Sequence, residues 1–309
     1  DSSVVHDEMS DPHSAFRIPH SESPLFREMA VVGLGLIGGS LALAARKAGL
    51  VERVVGLDTD AGHREMALAS RMVDRVLEGV NGDLSSADLV VLAVPVTEIA
   101  DLLPDVARWA NGSCLVTDVG SVKGPILAAG DAAFPDGRFV AGHPIAGRER
   151  SGPAAARADL FEEANWIVTP SARTDPRAQE RVAALWRGIG ASVVAMEPGW
   201  HDEVFAAVSH LPHLVAYALM DAVLAMPRGE ERLRFSAGGL RDFTRVAASH
   251  PRMWRDIFLM NRDQILKALT AYRAALEGLE AAIRGGDGDA LMARLAQARV
   301  AREEITHRP

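Results

Sequence analysis

From Met29 to about Met196, short apolar runs alternate with amphipathic or alanine-rich stretches. This alternation predicts a mainly parallel sheet flanked by helices. The expected strands are Met29–Leu34, Arg53–Leu57, Leu89–Val94, Cys114–Asp118, Phe139–Gly142, Trp166–Thr169 and Ser192–Ala195. Several lead into residues suited to ligand contact: Asp58, Pro95, Gly120 and His143. In open α/β sheets the ligand crevice lies beyond the carboxyl ends of the strands, so separate segments are expected around one cleft.

After Pro198 the strand pattern stops. Trp200–Met226 reads as a long helix interrupted at Pro212, and Pro251 to about Arg284 as another. Gly285–Gly286–Asp287–Gly288 then turns the chain into a last helix, Ala290–Ile305. Along the second helix Phe258, Ile265, Leu269, Tyr272, Leu276, Leu279 and Ile283 follow heptad a/d spacing, with Arg262 at the one polar seam position. Such a seam closes either an intramolecular helix hairpin or a contact with a second copy. The second reading is preferred, because small helical appendages need a partner to bury such faces.

The run Val31–Val32–Gly33–Leu34–Gly35–Leu36–Ile37–Gly38–Gly39–Ser40 sits between an apolar strand and an alanine-rich helix, with Asp58 at the end of the next strand. Each part has a physical task in dinucleotide binding. Gly33 permits a tight turn, Gly35 lets backbone amides approach a pyrophosphate, and Gly38 lets helix and strand pack closely. Asp58 can accept hydrogen bonds from a ribose diol, and the helix N-terminus favours the phosphate charge. Leu36 and Ile37 in the first helical turn, with Val94 and Pro95 after the third strand, complete the expected cofactor-binding set. Asp58–Thr59–Asp60 would repel a 2′-phosphate and so favours NAD; Arg64, one helical turn on, leaves NADP open. The expected fold class is α/β, a Rossmann-type doubly wound sheet over residues 29–197 followed by an all-helical dimerisation domain over 198–309. Residues 1–28, rich in Ser, Asp, His and Pro and without a period, read as a disordered leader.

Composition narrows the setting. A formal net charge of −8 over 309 residues disfavours nucleic acid or an anionic membrane as partner. No stretch of about 20 apolar residues and no basic-then-apolar N-terminus is apparent, so a cytoplasmic protein is expected. The single cysteine, Cys114, lies in an apolar strand pattern and reads as a buried thiol.

Three clusters could carry chemistry. His143, within Gly142–Glu149, follows a buried strand and suits a general base. In Asp118–Gly124, Ser121 suits either an imidazole partner or a helix cap, and Lys123 either an anion contact or a solvated cation. The third joins His201, Ser209, His210 and His213 to Arg241, Asp242, Thr244, Arg245 and Trp254, which follow a loop at Gly238–Gly239. On a straight helix His201 and His210 lie roughly 13 Å apart, too far to share an ion, so no metal is expected. Either arginine could instead grip a carboxylate in two parallel hydrogen bonds, or form a surface ion pair.

Taken in order, GLGLIGGS (33–40), TDVGSVKG (117–124), GHPIAG (142–147), HDEVFAAVSHLPH (201–213), GGLRDFTRVA (238–247) and MWRDI (253–257) make the chain resemble the prephenate/arogenate dehydrogenases of tyrosine biosynthesis. The resemblance implies NAD(P)-dependent oxidative decarboxylation of prephenate, a dicarboxylate, to 4-hydroxyphenylpyruvate. It casts His143 as the base at the ring hydroxyl, with Ser121 hydrogen-bonded beside it. Arg245 would hold a substrate carboxylate and Glu149 gate or pair with it. His213, Gly238 and Asp242 would line the pocket, with Trp254 reaching across from a partner subunit. Arg148 stands where many relatives carry a small or hydroxylated residue, and its charge would favour prephenate over arogenate, whose side chain bears an ammonium. Arogenate or dual specificity is the alternative, and a non-catalytic NAD-binding redox sensor a second one. A β-hydroxyacid dehydrogenase would use a lysine of the helical region; beyond Lys123 the chain has only Lys267.

Overall fold

The computed structural model describes residues 23–78, 84–147 and 151–306. The first half alternates strands and helices: β1 Phe26–Val32, α1 Leu36–Lys47, β2 Val51–Leu57, α2 Ala61–Ala69, β3 Arg75–Leu77, β4 Leu89–Leu92, α3 Val96–Trp109, β5 Leu115–Asp118, α4 Gly124–Ala133 and β6 Phe139–Val140. Then come β7 Gly142–Pro144, β8 Asn165–Val168, α5 Pro176–Gly188 and β9 Ser192–Ala195. The rest is helical: α6 Pro198–Phe205, α7 Leu211–Ala225, α8 Gly229–Leu233, α9 Gly238–Thr244, α10 Pro251–Met260, α11 Arg262–Gly285 and α12 Gly288–Thr306.

The main sheet is parallel throughout, in the order β3-β2-β1-β4-β5-β6. This is the doubly wound order in which the switch between β1 and β4 opens the ligand crevice. Period-two alternation sends Met29 and Val31 of β1 into one core and Ala30 and Val32 into the other. Trp166 and Trp186 stack in the first core, with centroids 5.4 Å apart. Trp254 and Ile257 of α10 join the second and dock the helical region onto the sheet. Cys114 is buried, which pushes its thiol pKa up to about 12.

Several boundaries differ from expectation. Sheet pairing begins at Phe26, so residues 26–28 belong to β1 rather than to a leader; residues 1–22 lie outside the described residues. The expected strand Phe139–Gly142 is two strands in two sheets. β6 ends the parallel sheet, and β7 pairs antiparallel with β8 in a three-stranded sheet, β7-β8-β9. A Cβ at residue 142 would lie 2.5 Å from the Trp166 ring, so only glycine allows this crossing. β3 is too short and exposed to show an apolar pattern.

Pro212 does not interrupt its helix. A π-helical turn, Ala206–His210, absorbs the missing N–H, and α7 starts with the proline in its first turn. By length and composition Pro198–Ala225 could cross a membrane, which the sequence did not suggest. Its buried His201, Asp202 and His210 are instead bonded into the protein. The expected helix Pro251–Arg284 breaks at Asn261, whose side chain turns inward to the π-helical turn. Of the heptad seam Ile265 is buried, whereas Leu276 and Ile283 are exposed within one chain.

Candidate active site

The glycine run builds a cradle open on one side. Gly33 has φ +97°, and a Cβ there would lie 2.4 Å from the Ala93 carbonyl oxygen. At Gly38 a Cβ would meet the Gly33 carbonyl oxygen at 2.0 Å. Gly35 has nothing within 4 Å of that position. No side chain caps α1, so the N–H groups of Gly35, Leu36, Ile37 and Gly38 remain for a ligand on the open side. Asp58 Oδ2 accepts from Leu34 N at 2.8 Å, fixing the carboxylate beside this opening. Arg64 Nη1 donates to the carbonyls of Asp58 (2.8 Å) and Thr59 (3.1 Å), tying its guanidinium to the loop. Pro95 caps α3 across β4, with Val94 before it. The open side at Gly35, the free amides and the fixed acid fit NAD.

His143 lies on β7 next to the end of β5. Beneath it Lys123, fully buried, is ion-paired with Asp118 and donates to the Gly142 carbonyl at 2.8 Å. Asp118 Oδ1 accepts from Gly142 N at 3.1 Å, so both backbone polar groups of the residue before His143 are held. Lys123 is therefore neither a solvated cation nor an anion contact: the chain has folded it inward to satisfy a buried carboxylate. His143 Nδ1 is 3.0 Å from His201 Nε2, and His201 Nδ1 is 2.8 Å from Asp202 Oδ1. Asp202 also accepts from Lys123 N and Gly124 N, both at 2.8 Å. Phe205 covers the two imidazoles. Ser121 lies on the adjoining loop, but the His143 ring is bonded to His201 instead of to it.

Burial holds the His143 pKa well below the ordinary imidazole value, reinforced by His201, Lys123 and His210. His201 and His210 are lowered by the same desolvation, His210 to about 4. Burial opposes ionisation of Asp202, yet hydrogen bonds from His201, Gly124 and Lys123 lower its pKa. The outcome is neutral imidazoles anchored on a carboxylate.

The helical side adds a second layer. Asn261 Nδ2 donates to the Asp202 carbonyl at 2.8 Å and lies 3.2 Å from His210 Nδ1. His213 stacks on Trp254 with centroids 3.6 Å apart, and its Nδ1 donates to the Ser209 carbonyl at 2.9 Å. Within the single chain Trp254 is thus packed against His213 and is 6% exposed. Arg245 follows α9 on an exposed turn, and its charge adds to the burial that lowers the His213 pKa. Gly238 begins α9 instead of a loop, with Asp242 one turn on. Arg148 and Glu149 lie outside the described residues. Among the described residues no group of three or more His, Cys, Asp or Glu is placed to hold a metal ion.

Sequence reading gave no role to Asp118, Asp202 or Asn261. The first two stood inside the quoted segments, but nothing in one sequence distinguishes a buried acid from a solvated one.

A dinucleotide cradle beside a neutral, anchored imidazole defines a class, the NAD-dependent oxidoreductases with a helical second domain. Comparison with known proteins narrows it. Residues 41–195 match the prephenate dehydrogenase nucleotide-binding domain and 197–297 the prephenate dehydrogenase dimerization domain. The chain belongs to the prephenate dehydrogenase family. It is 37% identical to a cyclohexadienyl dehydrogenase of Zymomonas mobilis over 90% of this chain and 96% of that one. It is also 37% identical to a prephenate dehydrogenase of Bacillus subtilis, over 84% of this chain and 71% of the relative. The crystal structure of prephenate dehydrogenase from A. aeolicus with hydroxyphenyl propionate and NAD+ superposes with a TM-score of 0.87 at 34% identity, covering 90% of this chain and 98% of that one.

Proposed function

We propose that this chain is an NAD-dependent prephenate dehydrogenase working as a homodimer. It converts prephenate to 4-hydroxyphenylpyruvate and CO2. The observation that carries the reading is His143, a half-buried, desolvated and neutral imidazole held at the carboxyl end of the sheet where the nucleotide crevice opens. A redox sensor would have no use for an imidazole anchored in this way.

When bound, NAD accepts the hydride from the hydroxyl-bearing ring carbon. Gly35, Leu36, Ile37 and Gly38 would hold its pyrophosphate, Asp58 its ribose, and Val94 and Pro95 the wall opposite. His143 accepts the hydroxyl proton, and loss of the ring carboxylate as CO2 leaves an aromatic ring. Because aromatisation drives the reaction downhill, the protein mainly positions the partners. Arg245, with Arg148, would receive the substrate carboxylates and Glu149 would gate the pocket or pair with Arg245, beside His213, Gly238, Asp242 and Trp254; Ser121 would lie beside His143.

The Zymomonas relative's name, cyclohexadienyl dehydrogenase, favours a second reading in which arogenate is also accepted. Steady-state formation of NADH with prephenate and with arogenate, each with NAD and NADP, tests both. No turnover with either substrate would overturn them. The exposed Phe235, Leu276 and Ile283 of the helical region, together with the matched dimerization domain, support the dimer. Sedimentation velocity tests it, and a monomer at micromolar concentration would refute it.

A further inference from the structure

We infer that His201, oriented by Asp202, is a positioning residue that fixes the tautomer of His143, so that Nε2 carries the lone pair facing the substrate hydroxyl. This rests on the reading of His143 as the base.

The deduction follows from donor and acceptor counting along three side chains. Asp202 receives three donors, the backbone N–H groups of Lys123 and Gly124 and the His201 ring. An ionised carboxylate only accepts, so His201 Nδ1 must carry a hydrogen. A neutral imidazole has one N–H, which leaves His201 Nε2 bare. The only hydrogen bond it can make with His143 Nδ1, 3.0 Å away, is one it accepts. His143 Nδ1 is therefore the protonated nitrogen and Nε2 the free base. The reverse chain would require a second hydrogen on His201, making it a cation. Its own burial and the buried Lys123 nearby oppose that charge.

The reaction makes this arrangement useful. The proton is borrowed: Nε2 takes it from the hydroxyl as the carbon–hydrogen pair leaves. The electrons of the broken carbon–carboxylate bond then enter the ring, and Nε2 returns the proton to the phenolate oxygen. Prephenate and NAD+ become 4-hydroxyphenylpyruvate, CO2 and NADH with no net proton released. A base that must give back what it took gains from a fixed second nitrogen and a carboxylate that balances the passing imidazolium. The other titratable groups around the ring are Asp118 on β5, Lys123 before α4 and His210 on the π-helical turn. None of these is a hydrogen-bond partner of His143.

Nitrogen-15 chemical shifts of the histidines in the intact enzyme test the tautomer directly. The expected result is protonated Nδ1 and bare Nε2 on His143 at neutral pH; the opposite tautomer, or an averaged mixture, overturns the inference. In Asp202→Asn the amide can donate to His201, reversing the chain. Turnover should then fall about 10²–10⁴-fold with KM and NAD affinity nearly unchanged. Turnover within threefold of wild type would refute the assignment. Asp202 also holds the start of α4, so a second pair covers a failure to fold. His201→Gln keeps an acceptor for Nδ1–H and should exceed His201→Leu in turnover at least tenfold, whereas equal rates would overturn the inference. Wild-type enzyme with the expected tautomer but no turnover would defeat the functional reading and leave the tautomer assignment standing.

Discussion

Asp118 and Lys123 form an ion pair with both side chains fully buried, directly beneath the strand that carries His143. Lys123 spends a further hydrogen on the Gly142 carbonyl, and Asp118 accepts the Gly142 N–H, so one pair fixes both backbone polar groups of that residue. Gly142 is where the chain leaves the parallel sheet for the second one. The pair therefore sets the place from which the imidazole projects, although neither of its charges touches His143.

Lys123→Met tests this. Removing one partner leaves an uncompensated buried carboxylate, and such losses typically cost about 3–5 kcal/mol of stability. Denaturant unfolding monitored by tryptophan fluorescence should show a loss of that size. The double change Lys123→Met with Asp118→Leu should recover much of it, because the orphan charge is gone. A single variant within about 1 kcal/mol of wild type would contradict the buried pair as described.

The rate should be insensitive to pH through the ordinary histidine range. Burial, with help from His201, Lys123 and His210, holds the His143 pKa well below 6.5. The base thus stays neutral and competent as pH falls through that value. The acid limb of kcat/KM is expected only below the usual imidazole pKa. His143→Asn should lower kcat by about 10²–10⁴-fold while leaving NAD binding intact. An acid limb centred at 6.5 or above in wild type would contradict the desolvated environment.

Stability should behave differently from rate. His210 titrates near 4 in the folded protein against an ordinary 6.5. Between those values the unfolded chain binds the proton and the folded one does not, so stability falls as pH drops from 6.5 towards 4. This residue alone accounts for about 3 kcal/mol across that window. Urea unfolding at a series of pH values should show the decline, and His210→Gln should flatten it. An unchanged slope in the variant would place the acid sensitivity elsewhere.

What the sequence made legible follows from the reach of its signals. Short continuous apolar runs marked β1, β2, β4 and β5 because most of each strand is buried on both faces, and the glycine cradle was readable because its constraints are local. The split at Gly142 was hidden, since its cause is the ring of Trp166, distant in sequence. The break at Asn261 was hidden for a similar reason: the asparagine turns inward to meet Asp202 and His210 from another helix. Lys123 shows the limit most plainly. A lysine in a glycine-rich loop looks solvated until the fold places Asp118 against it.

The glycine cradle separates two effects that usually fall together. A Cβ at residue 38 would lie 2.0 Å from the Gly33 carbonyl oxygen and 2.9 Å from a Val31 methyl. Gly38→Ala must therefore push α1 off β1, lowering both stability and NAD affinity. Gly35 has an ordinary φ of −72° and nothing within 4 Å of a Cβ. Gly35→Ala should leave the melting temperature close to wild type yet fill the open side where a pyrophosphate must approach the helix N-terminus. NAD titration followed by tryptophan quenching should show at least tenfold weaker binding in both variants, with thermal unfolding shifted only in Gly38→Ala. Undiminished NAD affinity in Gly35→Ala would mean that the phosphates do not enter over this glycine.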